Sequence, residues 1–410
     1  NTSLLLVSLT AIPTRSLSGS VPITISPFVF SASSKAIFKA AGSSGFGDST
    51  VGKSPSGIFC SSTIATFLNP ALKRDNIKLQ KNILVEKIFL ENDRAVGIEV
   101  SKKGQKYRIE AEKEIILSAG ALNSPQILML SGIGPADHLR NIGSNVFHDL
   151  PGVGQNLQDH ATVSISWECL KEFEAHKIDR PINKMMAGIK WIITRKGLAA
   201  SNHFEAGGLI RGNDNVKYPN LQYHFGPTGF DYIGGKFKLS QAFTLQLDQL
   251  RPHSKGYLKL KSLNPKDSPE IKLNYFKDPR DIKELTEGVK KMRELVSQPV
   301  FDKFRGKEIS PGSEIQSDSE IEQAIRLNTI TDYHQCGTCA MGTDVNSVVD
   351  SEMRVKGINS LRVVDASVLP NVVSGNIGAP VMMIAARAAD WILGKNQLEP
   401  LKANFKFDQI

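Results

Sequence analysis

The chain has 410 residues, 40% of them hydrophobic and 22% charged, which suits a globular protein of two or three domains. No uncharged apolar run reaches the ~18 residues of a spanning helix, so none is predicted. The net charge of +9 comes from scattered Lys and Arg without a block, so a solvated basic surface is expected rather than a nucleic-acid interface, and four cysteines make no disulfide framework and fit a reducing compartment.

The first residue is Asn1, not Met, so a fragment or a processed chain is expected. Ser3 to Leu9 is apolar but short, with no basic residue before it, and no signal peptide is predicted. Residues 1–60 are rich in Ser, Gly and Pro and read as irregular, with an edge strand at Pro22–Ile25 and a short helix at Ser34–Ala41. Alternating segments at Ile77–Val85, Arg94–Val100 and Tyr107–Ala111 predict an antiparallel meander. Glu114 to Gly120 is a continuous apolar run ending in Gly, as in a buried parallel strand. Asn123-Ser-Pro125 reads as a helix cap followed by Pro, predicting a helix from Gln126 to Leu130 that stops at Gly132. Strand, Gly turn and helix start make one unit of a nucleotide-binding sheet.

From 160 to 330 strand-like segments recur at Thr162–Trp167, Gln241–Leu247 and Gly256–Lys261. Ile282, Leu285, Val289, Met292 and Leu295 share one face of a helix beginning near Asp281, and Ser317 with Glu320 forms a capping box. This is α+β character on a large antiparallel sheet. Ala379 to Leu393 is apolar and small-rich, a helix buried against the sheet.

Three segments near the C-terminus carry the chemistry: His334 to Gly342, Leu361 to Ser367, and Ser374 to Pro380. His334 precedes a Gly-Thr turn. Imidazole titrates nearest neutrality, which suits a general base, although a lone His is more often structural. Asn376 in a Ser-Gly-Asn loop is either a turn residue or a donor to a substrate oxygen, and Asp365 either caps a turn or positions a cofactor. The rival chemistry is thiol-based, since Cys336 and Cys339 form a CxxC after His334. A metal would need a further ligand cluster, and Cys60 and Cys169 are isolated, so no metal site is predicted.

Ser118 to Gly134 resembles the second signature of the glucose–methanol–choline (GMC) family of FAD-dependent alcohol oxidoreductases, and Leu150 to His160 resembles the segment that follows it. The resemblance covers about Gly19 to Leu398. Ala200–Gly208, Pro219–Phe225, Leu250–Gly256, Phe304–Gly312, Asn274-Tyr275 and Ser347–Asp350 are most similar to the choline-oxidising members. The fold class implied is α/β plus α+β: a GMC-type FAD-binding domain, discontinuous and incomplete here, with a substrate domain on a large antiparallel sheet. Residues 1–60 would join the substrate domain, 61–160 and 331–398 would be parts of the FAD-binding domain, 161–330 the substrate domain, and 399–410 a tail.

The resemblance also implies roles. His334 would take or stabilise the alcohol proton, Asn376 would bond the same oxygen, and hydride would pass from the carbinol carbon to flavin N5. Asp365, Ala366, Asn376, Ala379 and Pro380 would line FAD. Glu205 would face the trimethylammonium group of choline, with Phe204 and Tyr223 as aromatic walls and His224 and Phe225 as further candidates. A quaternary ammonium has no N–H to donate, so a nearby negative charge and aromatic faces must recognise it. Choline would go to betaine aldehyde and onward to glycine betaine, with electrons leaving to a quinone-type acceptor rather than to oxygen. The implied location is the cytoplasm or the periphery of the inner membrane in a bacterium, and mitochondria in a eukaryote.

Some features depart from that pattern. No GxGxxG occurs, and Gly42-Ser-Ser-Gly-Phe-Gly47 has the wrong order, so the chain alone is expected to bind FAD poorly or not at all. Gln335, Ala340 and Gly378 replace residues common in choline-oxidising relatives. The rival readings are a GMC dehydrogenase of an uncharged alcohol or polyol, and an inactive fragment.

Overall fold

A computed structural model describes residues 3–11, 23–31, 52–53, 59–60, 63–233 and 236–399, with side-chain surroundings from residue 66 onward outside 230–238. The expected helix at Ser34–Ala41 lies outside these residues. A five-stranded sheet runs in the order Leu361–Val363, Glu114–Ser118, Ser3–Ala11, Ile23–Ser31, Ile77–Leu79. Glu114–Ser118 is parallel to both neighbours, as its unbroken apolar run predicts. The edge strand expected at Pro22–Ile25 is instead the start of Ile23–Ser31, which is paired on both sides. Ser3–Ala11 and Ile23–Ser31 thus belong to the sheet of Glu114–Ser118, where the sequence suggests irregular chain.

The antiparallel meander is present at Leu84–Glu91, Arg94–Lys102 and Gln105–Glu110. Its turns place Asn92, Asp93, Lys103 and Gly104 at positive φ, the twist that tight hairpins require. Ile77–Leu79, expected in the meander, pairs with Ile23–Ser31 instead. Ile115, Ile116 and Leu117 share one core with Ile127, Leu128 and Met129 and with Val381, Ile384 and Ala388 of the Gly378–Ile392 helix.

The helix after Glu114–Ser118 starts at Gly120, not Gln126, and Pro125 lies inside it. Proline has no N–H, so it cannot satisfy the carbonyl four residues earlier, that of Ala121. The Thr338 hydroxyl donates to that carbonyl at 2.5 Å. Asp365 completes the helix start by accepting from Gly120 N at 2.9 Å and from the Ser124 hydroxyl at 2.5 Å. These outside partners let the helix begin early, and no local sequence signal reports them.

The second layer is a six-stranded antiparallel sheet. Ala206–Ile210, Leu221–Gly226, Ala242–Gln249, Ala161–Cys169 and Arg305–Ser310 lie side by side, and Ile330–Thr331 adds to Ala161–Cys169. Strand alternation separates its faces. Val163, Ile165, Trp167, Phe243, Leu245 and Leu247 pack against Ile282, Leu285, Val289 and Met292 of the Pro279–Val296 helix. The register pairs Thr162 and Gln222 with Asp248, and His224 with Gln246, so these polar residues share the other face.

The Pro279–Val296 helix begins two residues before the expected Asp281, because Asp278 caps Arg280 N at 2.9 Å. The capping box is formed, with Ser317 N donating to Glu320 at 2.9 Å. Gly256–Lys261 does not join the large sheet; Tyr257–Lys259 pairs only with Glu270–Lys272. An unexpected helix at Pro181–Thr194 buries none of its residues, so it lacks the buried stripe that would mark a core helix.

Thr338 is fully buried, so replacing its hydroxyl by a methyl leaves the Ala121 carbonyl without a donor. Thr338→Val should lose about 1–3 kcal/mol in urea unfolding, and Thr338→Ser should keep most of the stability.

Candidate active site

The His334 loop lies against the segment leading into Ala161–Cys169. Gln158 and Cys336 exchange backbone hydrogen bonds at 3.1 and 2.9 Å, forming an antiparallel bridge. Two residues further out in each direction, that register sets His160 opposite His334. Their Nδ1 atoms are 2.9 Å apart and the rings meet edge to face.

Asp159 fixes the loop. Its carboxylate accepts from His334 N at 2.9 Å, Tyr275 OH at 2.6 Å, Gln335 Nε2 at 3.1 Å and the Thr331 hydroxyl. Burial pushes its pKa up, and the bonds from Thr331, Tyr275 and His334 oppose that rise. Burial and Asp159 together push the Tyr275 phenol well up, which keeps it protonated as a donor.

The tautomers follow from the partners. His160 Nε2 lies 3.0 Å from the Val373 carbonyl, which can only accept, so this nitrogen carries the proton. Burial, reinforced by His334, lowers the His160 pKa to about 4, so its Nδ1 is a bare acceptor. Asp332 Oδ2, also an acceptor, is 2.9 Å from His334 Nδ1. A proton on His334 Nδ1 satisfies both neighbours and leaves Nε2 with a lone pair. Asn376 Nδ2 approaches that lone pair at 3.4 Å, and its Oδ1 accepts from Gln222 Nε2 at 3.2 Å. His160, Asp332 and His334 place three ligand-type atoms within 4.8 Å of one another, and the 2.9 Å contacts are those of hydrogen bonds.

Gln222 continues the network into the polar face of the sheet. Its amide is 2.8 Å from His224 Nε2, which is 3.2 Å from the buried Asp248 carboxylate. The Asp248 bond raises the His224 pKa. Phe204 packs against His224 with ring centroids 5.2 Å apart, which links it to this cluster. Tyr223 occupies the opposite face of its strand, against the second core. Glu205 is exposed and accepts from the Ser201 hydroxyl at 2.6 Å.

Asp365 is buried, and besides the helix start it accepts from Ser367 N at 2.8 Å. Ala366 O lies on the His334 loop, accepting from Gly337 N at 3.4 Å. Ala379 and Pro380 form the first turn of the Gly378–Ile392 helix, immediately after Asn376. Cys336 and Cys339 are buried free thiols. Burial pushes Cys336 up to about 12 and Cys339 well up, which removes the thiolate that the rival CxxC chemistry needs.

Asp159, His160, Gln222 and Asp332 have no assigned role in the sequence reading. Gln222 and His224 are an i, i+2 polar pair on a strand, a signal that could have placed both beside the site. Asp332 reads as an ordinary loop acid.

Models of the GMC oxidoreductase family match residues 32–162 with their N-terminal part and 252–385 with their C-terminal part. The chain belongs to the GMC oxidoreductase family. It is 44% identical over 339 residues to the mitochondrial choline dehydrogenase of Homo sapiens, covering 82% of this chain and 57% of that protein. It is 40% identical over 346 residues to oxygen-dependent choline dehydrogenase 1 of Chromohalobacter salexigens, covering 84% of this chain and 62% of the relative. The chain therefore spans about three-fifths of the length of these curated relatives. Among solved structures it is similar to an FAD-dependent oxidoreductase from Chaetomium thermophilum, with TM-score 0.72, 26% identity, and coverage of 82% of this chain and 64% of that one. It is likewise similar to pyridoxine 4-oxidase from Mesorbium loti, with TM-score 0.71, 26% identity, and coverage of 83% and 64%.

The residues present fit part of a flavin site. A Cβ at Gly375 or Gly378 would meet no atom within 4 Å, so the backbone on either side of Asn376 is open to a bound group. The Gly378–Ile392 helix begins there with no side-chain cap and no acidic residue in its first turn. Its free N–H groups favour a partner with negative character.

Two solution properties follow. Cys336 and Cys339 should resist iodoacetamide in the native protein at pH 8 and react only on unfolding, as peptide mass mapping would show. Because His160 falls from 6.5 to about 4 on folding, the unfolded chain binds the extra proton between those values. Its contribution to stability is therefore intact above pH 6.5 and is lost as pH falls toward 4, by up to about 1.4 kcal/mol per pH unit. A His160→Gln variant should show a shallower loss over that window in urea titrations.

Proposed function

We propose that this chain carries the alcohol-oxidising site of an FAD-dependent enzyme whose substrate is choline, converted to betaine aldehyde and onward to glycine betaine through the hydrated aldehyde. The observation that carries the reading is the bare Nε2 of His334, aimed at the Asn376 amide on a loop open to the flavin side. An alcohol oxygen lying to one side of the pair, within hydrogen-bond reach of both, can give its proton to Nε2 while Asn376 Nδ2 donates to the oxygen. Asn376 holds that orientation because Gln222 occupies its Oδ1. Asp365, Ala366, Ala379 and Pro380 would line the cofactor with Asn376. FAD, when bound, supplies the acceptor for the hydride leaving the carbinol carbon.

The choline reading is supported by the names of the curated relatives and by the acidic, aromatic character near the site. Glu205 and Phe204 are adjacent, and Phe204 reaches the His224–Asp248 pair. Tyr223 would contribute from behind the strand rather than as a wall of the site. From the motif resemblance we infer a quinone-type electron acceptor and a peripheral membrane association; the Chromohalobacter salexigens relative is named oxygen-dependent, which makes oxygen the competing acceptor. No described helix is long and apolar enough to cross a membrane.

Two variants of the flavin-loaded protein test the proposal. His334→Ala should lower kcat/KM for choline by roughly 10²–10⁴. Glu205→Gln should lower it about tenfold or more for choline and leave 3,3-dimethylbutanol, the neutral isostere, nearly unchanged. Anaerobic bleaching of the flavin by choline and by the isostere at equal concentrations would discard the choline assignment and keep alcohol oxidation.

A further inference from the structure

Two acceptors converge on His334 Nδ1, the neutral His160 Nδ1 and the Asp332 carboxylate, each at 2.9 Å. Either one is enough to fix the tautomer. Only Asp332 brings a charge. Its carboxylate is itself held: Oδ1 accepts from Gln246 Nε2 at 3.1 Å, and its backbone N–H donates to the His160 carbonyl at 3.2 Å. Gln246 lies on the polar face of the large sheet, so the substrate domain orients the acid that orients the base. A carboxylate fixed from both ends on the rear nitrogen of a histidine is more than incidental loop chemistry.

We infer that Asp332 is a positioning residue for His334, sharing with His160 the hold on the Nδ1–H tautomer and alone of the two neutralising the imidazolium that forms when Nε2 takes a proton. In that step the substrate O–H bond breaks and an Nε2–H bond forms. The ring charge goes from zero to +1 beside a fixed negative charge, and no electrons change owner. His160, being neutral, orients the ring without compensating that charge. Asp332 therefore supplies what a histidine pair alone would lack. The inference rests on the reading of His334 as the base.

The other charged and titratable groups around this point come from several elements. Asp159 holds the His334 backbone, and His160 faces the ring. Asp248 and His224 lie on neighbouring strands, and Arg251 is bound to Ser374 at 2.8 Å near Asn376. Burial raises the Asp332 pKa, the bond to His334 lowers it, and the Asp248 charge raises it again.

The replacement Asp332→Asn is informative because Gln246 is a donor. It will select the Asn oxygen and turn the new NH₂ group toward His334 Nδ1. Donor then faces the nitrogen that should carry the proton, the wrong-tautomer effect known for a buried Asp→Asn change behind a catalytic His. Asp332→Ser removes the charge without offering that amide, and His160 still accepts. Asp332→Glu restores a carboxylate.

The tautomer is read from long-range ¹H–¹⁵N spectra of the histidine rings in the purified chain, with His334→Gln assigning the signal. The wild type should carry its proton on Nδ1, Asp332→Asn should move a large share to Nε2, and Asp332→Ser and Asp332→Glu should keep it on Nδ1. In the flavin-loaded protein, kcat for the alcohol should fall at least tenfold in Asp332→Asn and Asp332→Ser with KM little changed, and recover in Asp332→Glu. A wild-type proton on Nε2, an unchanged tautomer in Asp332→Asn, or full kcat in Asp332→Ser would overturn the inference. If Asp332→Asn misfolds by circular dichroism, Asp332→Ser and Asp332→Glu carry the test through kcat. A choline titration of the same spectra separates the two readings. Choline leaving the His334 signal unmoved would count against the substrate assignment, while the tautomer result stands by itself.

Discussion

Asp159 sits almost fully out of solvent and accepts from the His334 backbone, Tyr275, Gln335 and Thr331. A buried carboxylate is costly unless donors surround it, and these donors come from two separate stretches of chain, 331–335 and the loop of Tyr275. Satisfying one charge therefore pins the His334 loop to the segment before the large sheet and to the loop carrying Tyr275. The relative placement of His334, His160 and Asn376 depends on that requirement. Without a carboxylate at position 159, the donors would be left facing each other.

The large sheet contributes differently. Its period of two divides labour without any special loop: odd positions from 161 to 169 and from 243 to 247 make an apolar core, and even positions from 162 to 168 and from 244 to 248 make a polar wall. Gln222, Gln246 and Asp248 are placed by the same register that buries Leu245 and Leu247. A one-residue slip would exchange these two sets, so core packing protects the geometry of the site. Residues far from the chemistry thereby hold the amide of Asn376 and the carboxylate of Asp332 in their orientations.

Local signals carried part of this architecture. The apolar run of Glu114–Ser118, the alternation of Arg94–Lys102 and Gln105–Glu110, the Pro279–Val296 periodicity and the capping box at Ser317 each depend on neighbours in sequence, and each is legible. The start of the Gly120–Leu130 helix is not, because Thr338 and Asp365 satisfy it from more than two hundred residues away. The pairing of Ser3–Ala11 with Glu114–Ser118 is hidden for the same reason. At the site, motif likeness singles out His334 and Asn376; it includes Asp159 and His160 at the end of the Leu150–His160 segment without a role for either, and it does not reach Asp332. Those roles come from a cross-strand register that no single segment contains. The CxxC shows the converse: a conspicuous spacing whose chemistry is silenced by burial.

The bond from Gly120 N to Asp365 spans 245 positions. At translation speeds of about 5–20 residues per second, the first turn of that helix waits roughly ten to fifty seconds for its partner to be made. Over that interval Ile115, Ile116 and Leu117 have left the ribosome without the Leu361–Val363 strand that will lie beside them. The five-stranded sheet cannot close in chain order as it is synthesised. Its Leu361–Val363 strand and the Asp365 carboxylate arrive together, so the sheet edge and the start of the Gly120–Leu130 helix are completed in one late event.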